Sequence, residues 1–201
     1  MYVIGLTGGI ACGKSTVSEA LRREGAAIVD ADAIAHELSR PGGAVYDFYV
    51  REFGGDILAA DGTLDRGEIA RRVFADPHVR DRVNARVHPL IRAAATDKIA
   101  DLRAEGHAAI VLDVPLLFEA GWHRMTDESW VVSVPKDVQL ARLMARDTAM
   151  SEAEARARIA AQMPLAEKCA LADVVIDNGG ARTDTERRAA ELWRQRLASL
   201  S

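Results

Sequence analysis

Cysteine is nearly absent: Cys12 and Cys169 are the only two in 201 residues, far apart and in no metal-ligand spacing. That argues against a disulfide framework or a zinc site and points to a reducing cytosol. Lysine is confined to positions 14, 98, 136 and 168, so arginine carries most of the basic charge. A formal net charge of −4 provides no global basic field of the kind that drives non-specific nucleic-acid binding, and no nucleic-acid partner is expected. No apolar stretch approaches the length of a membrane span. The apolar start, Met1 to Leu6, lacks a basic leader and runs straight into glycines, unlike a signal peptide. The chain reads as soluble and cytoplasmic, with no membrane partner. At 49% hydrophobic and 28% charged residues it can bury a proper core, and its length fits one domain with sizeable insertions or with a small companion.

Short apolar runs punctuate the chain. Residues 2–6 read as a buried strand ended by Thr7-Gly8-Gly9, and Val17, Ala20 and Leu21 recur at helical spacing until Gly25 closes the segment. Ala27 to Val29 is a second strand leading into Asp30-Ala31-Asp32, which completes one βαβ unit. Helical pattern then dominates from Ala33 to about Glu105, with turns at Pro41-Gly42-Gly43, Gly54-Gly55 and Asp61-Gly62. Further strands are expected at 108–112, 130–134 and 173–176. Two helices are expected between Lys136 and Gln162, the second opened by Ser151 and Glu154 in capping-box spacing. A last helix is expected to open at Thr183, with Ala189, Leu192, Trp193, Leu197 and Leu200 on one face. Alternating short strands and helices predict an α/β fold with a parallel sheet covered on both faces, where ligands sit beyond the carboxyl ends of the strands.

The segment Gly8-Gly9-Ile10-Ala11-Cys12-Gly13-Lys14-Ser15 matches G-x-x-x-x-G-K-[ST] in full. Glycines let the backbone curl its N–H groups around phosphate oxygens, a lysine here meets the β/γ phosphates, and the serine hydroxyl can ligate Mg²⁺. The match lies between a strand and a helix whose N-terminus adds its positive dipole end. ATP and Mg²⁺ are therefore expected. Asp30 and Asp32 supply carboxylates that could take the proton of an attacking hydroxyl, although an Asp after a strand can equally cap the next helix. Asp113 ends a strand where phosphate-loop proteins hold a magnesium-organising acid, directly or through water. Arg142 and Arg146 lie four apart on one helix face, either as cations for the transferring phosphoryl group or as a solvated arginine face. Cys12, close to a helix N-terminus that could lower its thiol pKa, reads as a small loop residue and not as a nucleophile. His88-Pro89 interrupts a helical region, with Pro89 expected to kink or start a helix. Trp122, Trp130 and Trp193 read as core or interface residues.

These residues carry a family resemblance. The phosphate loop with Ile4 to Thr7 before it, Asp30-Ala31-Asp32 with Ile34-Ala35, and His88-Pro89-Leu90-Ile91 resemble dephospho-CoA kinases. So do Asp113-Val114-Pro115-Leu116-Leu117-Phe118-Glu119, Gln139 with Arg142 and Arg146, Arg158-Ile159 with Gln162, Lys168, and Ala172-Asp173 with Ile176-Asp177-Asn178-Gly180. The likeness runs from residue 4 to 180. It implies a P-loop NTPase fold of the nucleoside-monophosphate-kinase type, with a five-stranded parallel sheet, a helical substrate-binding insertion and a lid. The single domain would divide into a core at about 1–35, 105–135 and 170–201, an acceptor-binding insertion at about 36–104, and a lid at about 136–165. The implied reaction is ATP-dependent phosphorylation of the ribose 3′-hydroxyl of dephospho-CoA, the last step of coenzyme A synthesis, by a monomer or weak homo-oligomer. On that resemblance Asp32 is the base, with Lys14 and Arg142 catalytic. The nucleotide lies on Gly8, Gly9, Ala11, Cys12, Gly13, Lys14, Ser15 and Thr16, with Arg146 from the lid and Asn178 near the adenine. His88 belongs to the acceptor side, and Ser15 and Asp113 to the metal. Two departures stand out. Ala11-Cys12 replaces a Gly-Ser-like pair, so a positive φ at Ala11 would cost on the order of 1 kcal/mol. Position 36 is His where an Arg is frequent, and no phosphate contact is assigned to it. A kinase for another hydroxylated small molecule and a nucleotide-binding regulatory module remain as alternatives.

Overall fold

A computed structural model describes residues 1–200 and divides the chain into two compact units, Met1–Val29 with Leu102 onward, and Asp30–Asp101. The first unit is built on five strands: β1 (Tyr2–Gly8), β2 (Ala27–Asp30), β3 (Ala109–Asp113), β4 (Glu128–Ser133) and β5 (Val174–Asp177). Their order is β2-β3-β1-β4-β5, and β1 pairs in parallel with β3 and β4, as β4 does with β5. The central strands read as unbroken apolar runs because both faces are covered. Helix α1 (Lys14–Arg23) buries Val17, Ala20 and Leu21 against the sheet, and α9 (Arg182–Leu200) buries Ala189, Ala190 and Trp193. Leu21 and Trp193 share one core with Ile4, Leu6, Trp130 and Val132. Each large apolar side chain so buried stabilises the fold by about 1.5–3 kcal/mol. The three tryptophans are all buried.

Between β4 and β5 run α6 (Lys136–Arg146), α7 (Glu152–Ala160) and α8 (Leu165–Leu171). The Ser151–Glu154 capping box is present in both directions. Leu143, Met150 and Ala155 form a small core joined by Ile10 and Ala11 of the phosphate loop, which ties α6 and α7 to that loop.

The second unit contains α2 (Ala31–Leu38), α3 (Ala44–Phe53), α4 (Arg66–Ala75) and most of α5 (Pro77–Ala104). Val45, Val83 and Val87 form its centre, with Leu38, Phe48, Tyr49, Phe53, Val73 and Leu90 around them. The three expected turns hold glycines in the left-handed region, Gly42, Gly54 and Gly62.

Three expectations need correction. Pro89 does not start a helix, because α5 runs through it for 28 residues; the packing of Val83 and Val87 outweighs the one backbone bond a proline removes. The last helix opens at Arg182, not Thr183, and Glu186 turns its carboxylate to Arg182 and Arg23 rather than to a cap. The expected strands at 130–134 and 173–176 shift, since polar Glu128 and Ser129 open β4 and are buried. Arg196 meets Glu128 at 2.7 Å, and Asp173 accepts from the Ser129 amide at 2.7 Å and hydroxyl at 2.8 Å. Those two bonds hold the Asp173 carboxyl below its ordinary range.

Candidate active site

The phosphate loop leaves the end of β1 and re-enters helix at Lys14. Gly13 has φ +82°, and a Cβ there would stand 2.1 Å from the Asn178 amide nitrogen. Only glycine fits. Ala11 does take a positive φ, +60°, so the chain accepts the small strain expected from its sequence. The loop is braced by side chains distant in sequence. Gln162 accepts from the Ile10 N–H at 2.8 Å, and Gln139 donates to the Ile10 carbonyl at 2.9 Å. Asn178 donates to the Cys12 carbonyl at 2.8 Å and accepts from the Thr185 hydroxyl at 2.8 Å. The Ile10 N–H and carbonyl are thus held by Gln162, two residues past α7, and by Gln139 of α6.

The first turn of α1 differs from its neighbours. Asp30, Asp65 and Ser151 cap α2, α4 and α7 with side-chain oxygens, whereas α1, α3, α6 and α8 start without a side-chain cap, and of these four only α1 has no acid in its first turn. An uncapped helix start with its N–H groups facing a curled loop is an anion site. Lys14 adds an ammonium to the same place and pairs with Asp113. The β1–β3 register sets Leu6 beside Asp113, which brings that carboxylate to the end of the strand that feeds the loop. Asp113 is buried at 3% exposure.

A second polar cluster supports the wall behind the loop. The Pro115 carbonyl accepts from the Thr7 hydroxyl at 2.9 Å and from the Lys168 ammonium at 3.0 Å. Lys168 is fully buried and pairs with Glu119 at 2.8 Å; Glu119 also accepts from the Met163 N–H at 3.1 Å. The Glu119 side chain keeps 22% exposure, so the ammonium is the member that would be left buried and uncompensated. Glu119→Ala is expected to destabilise the protein by about 3 kcal/mol, read as a lower midpoint in urea unfolding. An unchanged midpoint would contradict this assignment.

The Cys12 side chain is wholly buried in the core, and that burial pushes the thiol pKa up to about 11, against the lowering that the helix end could give. Its N–H donates to the Gly9 carbonyl at 3.1 Å. Cys12 is therefore inert rather than oxidation-sensitive. Brief alkylation of the native protein with iodoacetamide at pH 8 is expected to mark the partly exposed Cys169 and spare Cys12, as read by peptide mass spectrometry. A Cys12 adduct at early times would overturn this.

The remaining site residues fall in both units. Arg142 and Arg146 lie on α6, one and two turns after Gln139, and the Arg142 charge acts on Cys12. Gly8, Gly9, Ser15 and Thr16 lie in the loop and the first turn of α1. In the helical unit, Asp30 caps α2 by accepting from the N–H groups of Asp32 and Ala33 at 2.9 and 3.0 Å. That fixes the capping role on Asp30 and leaves Asp32 as an exposed carboxylate in the first turn. His88 lies on α5, and burial together with the Arg92 charge holds it below its ordinary pKa, so it is neutral at pH 7. The bracing roles of Gln139, Gln162 and Asn178 and the Lys168–Glu119 pair were not assigned from sequence. All five residues stood among those that carry the family resemblance, which assigned none of them a bracing role.

The profile of the dephospho-CoA kinase family matches residues 2–184. A dephospho-CoA kinase of Symbiobacterium thermophilum is 52% identical over 194 residues, covering 96% of this chain and 81% of the relative. A crystal structure from Thermus thermophilus superposes with a TM-score of 0.82 at 35% identity, covering 100% of this chain and 98% of that one. The dephospho-CoA kinase of Campylobacter jejuni gives a TM-score of 0.73 at 28% identity, with 96% of each chain covered.

Proposed function

The chain belongs to the dephospho-CoA kinase family, which uses ATP to phosphorylate the ribose 3′-hydroxyl of dephospho-CoA, and we propose that Lys14, Asp32 and Arg142 carry this chemistry. The observation that carries the reading is the uncapped start of α1, with Lys14 beside it, at the mouth of a loop braced into one shape. Phosphoryl transfer asks a protein mainly to position its reactants and to stabilise charge.

The triphosphate lies along residues 8–16, with its β and γ groups on the α1 N–H groups and the Lys14 ammonium. Lys14 exchanges its bond to Asp113 for phosphate oxygen, which leaves the Asp113 carboxylate for a metal. The Ser15 hydroxyl and the Asp113 carboxylate are hard oxygen donors of the kind Mg²⁺ takes, one or two from protein and the rest from phosphate and water. Bound there, Mg²⁺ would neutralise developing charge on the phosphates. Arg142, with Arg146 a turn further, does the same from α6, within a lid at about 136–165. Asp32 accepts the proton of the 3′-hydroxyl as that oxygen bonds to the γ-phosphorus. The bond from the γ-phosphorus to the β–γ bridging oxygen breaks, and ADP leaves. Asn178, whose amide is spent on the loop and on Thr185, acts by holding the loop, with its backbone near the adenine. The helical unit Asp30–Asp101 takes the acceptor, with neutral His88 on that side. Among the described residues no helix is long and apolar enough to cross a membrane. We place the reaction in the cytoplasm and expect a monomer or weak homo-oligomer.

The direct test is ADP release from ATP and Mg²⁺ with and without dephospho-CoA. Release that rises at least a hundredfold with the acceptor supports the reading. Equal release in both samples would leave a kinase for a different acceptor or a nucleotide-binding regulatory module.

A further inference from the structure

Two adjoining cavities in the helical unit carry a chemistry that none of the residues above uses. The first, about 420 Å³, is lined by His36, Ser39, Arg40, Pro41, Thr63, Leu64 and Arg66. Three of these are cationic or imidazole groups, and no carboxylate lines the cavity. The acids nearby are engaged elsewhere: Glu37 with Lys98 at 2.8 Å, Asp65 on the Glu68 N–H at 3.0 Å, and Glu68 with Arg71 and Arg72 at 2.6 Å. Among the described residues neither Arg40 nor Arg66 forms an ion pair. Arg66 instead donates to the His36 Nδ1. A guanidinium can only donate, so Nδ1 accepts and the ring N–H at Nε2 remains to donate outward. The guanidinium charge is therefore kept rather than cancelled, as an anion site requires.

The second cavity, about 320 Å³, shares Ser39, Leu64 and Arg66 with the first. Its other walls are Tyr49, Ile69, Ala70, Val73, Val83 and Asn84, so that polar and apolar surface share it about equally. The pair thus joins a cationic group, through Arg66, to a cavity with one apolar wall of Ile69, Ala70, Val73 and Val83. Position along α2 adds a third observation. Asp32 and His36 are four residues apart, on one face and separated by about 6 Å of rise, which is about the width of a sugar ring. Arg40 follows in the turn after α2.

We infer that His36, Arg40 and Arg66 seat the 5′-diphosphate of the acceptor, with its pantetheine arm lying along the apolar wall beyond Arg66. This rests on the dephospho-CoA reading above. The ribose would then lie over α2, its 3′-hydroxyl at Asp32 and its 5′ side at His36. Two guanidinium groups and an imidazole N–H match two phosphates in charge and in donor number. The arrangement also explains how a His at position 36 can replace an Arg: the positive charge is contributed by Arg66, which the imidazole orients.

Steady-state kinetics of Arg40→Gln and Arg66→Gln test this. Both positions are exposed, so the variants are expected to fold, with stability changed little. Each is expected to raise the KM for dephospho-CoA about tenfold or more, with kcat at saturation within threefold and the KM for ATP unchanged; Arg66→Lys should recover part of the loss. Ala70→Phe, which fills space at the apolar wall, should raise the same KM and leave that for ATP alone. An unchanged dephospho-CoA KM in both glutamine variants, or an equal rise in the ATP KM, would overturn the diphosphate seat. An unchanged KM in Ala70→Phe would remove the arm from that cavity. Wild-type protein without acceptor-dependent activity would instead refute the functional reading itself, so the two failures are distinct.

Discussion

Replacing Lys14 by alanine is expected to lower kcat/KM by about 10³-fold or more, on the order of 4 kcal/mol of transition-state stabilisation. The side chain sets an ammonium at the start of α1, and phosphoryl transfer spreads growing charge over oxygens that the loop N–H groups cannot neutralise alone. Stability is expected to respond as well. Lys14 pairs with Asp113, which is buried at 3% exposure, so the variant leaves that carboxylate without its ammonium. The double variant Lys14→Ala with Asp113→Asn separates the two effects. Thermal unfolding should return toward that of the wild type, because a neutral amide does not need the ammonium lost with Lys14, while activity stays lost. Full activity in the single variant would refute the phosphate-loop assignment. A double variant no more stable than the single one would refute the coupling.

Asp32→Asn is expected to reduce kcat by about 10²–10⁴-fold while the KM for ATP moves less than threefold. Asparagine keeps the shape and polarity of the side chain and removes its capacity to accept the hydroxyl proton. The neighbouring acid supplies the control. Asp30 caps α2 through two backbone N–H groups, so Asp30→Ala is expected to cost about 1 kcal/mol of stability, with a far smaller change in turnover. Rapid-quench measurement of both variants distinguishes them. Equal losses of turnover would mean that α2 needs its cap for chemistry and would remove the special role of Asp32; no loss in Asp32→Asn would sink the base.

The parts of this molecule that could be read from sequence are those where one residue type answers one local demand. Gly13 at φ +82° and the turn glycines Gly42, Gly54 and Gly62 mark left-handed backbone, and the apolar runs of β1 and β3 mark strands covered on both faces. Ser151 and Glu154 state their capping box in four residues. Asp30 and Asp32 were ambiguous in sequence, because capping and proton transfer ask for the same side chain, and only the bonds to the Asp32 and Ala33 amides separate them. What sequence could not give were partnerships between distant positions. Gln139 and Gln162 close on Ile10 from 129 and 152 residues away, and nothing in an isolated glutamine announces that. The same holds for Glu128 with Arg196, whose pairing let a strand begin on a buried acid. Helix α8, seven residues long, is too short to show a period, and its buried Lys168 runs against the ordinary expectation for lysine. The reactivity of Cys12 stayed open in sequence, because the burial that raises its thiol pKa belongs to the folded core and not to the loop motif.

The central claim is that a phosphoryl group passes from ATP to one hydroxyl of dephospho-CoA. Mass spectrometry with phosphorus NMR of the reaction product tests it most directly. The account predicts a single product one phosphate heavier than the acceptor, with a new 3′-phosphomonoester resonance and an equal amount of ADP, identical to coenzyme A. Dephospho-CoA recovered unchanged beside hydrolysed ATP, or phosphate on another hydroxyl, would contradict it.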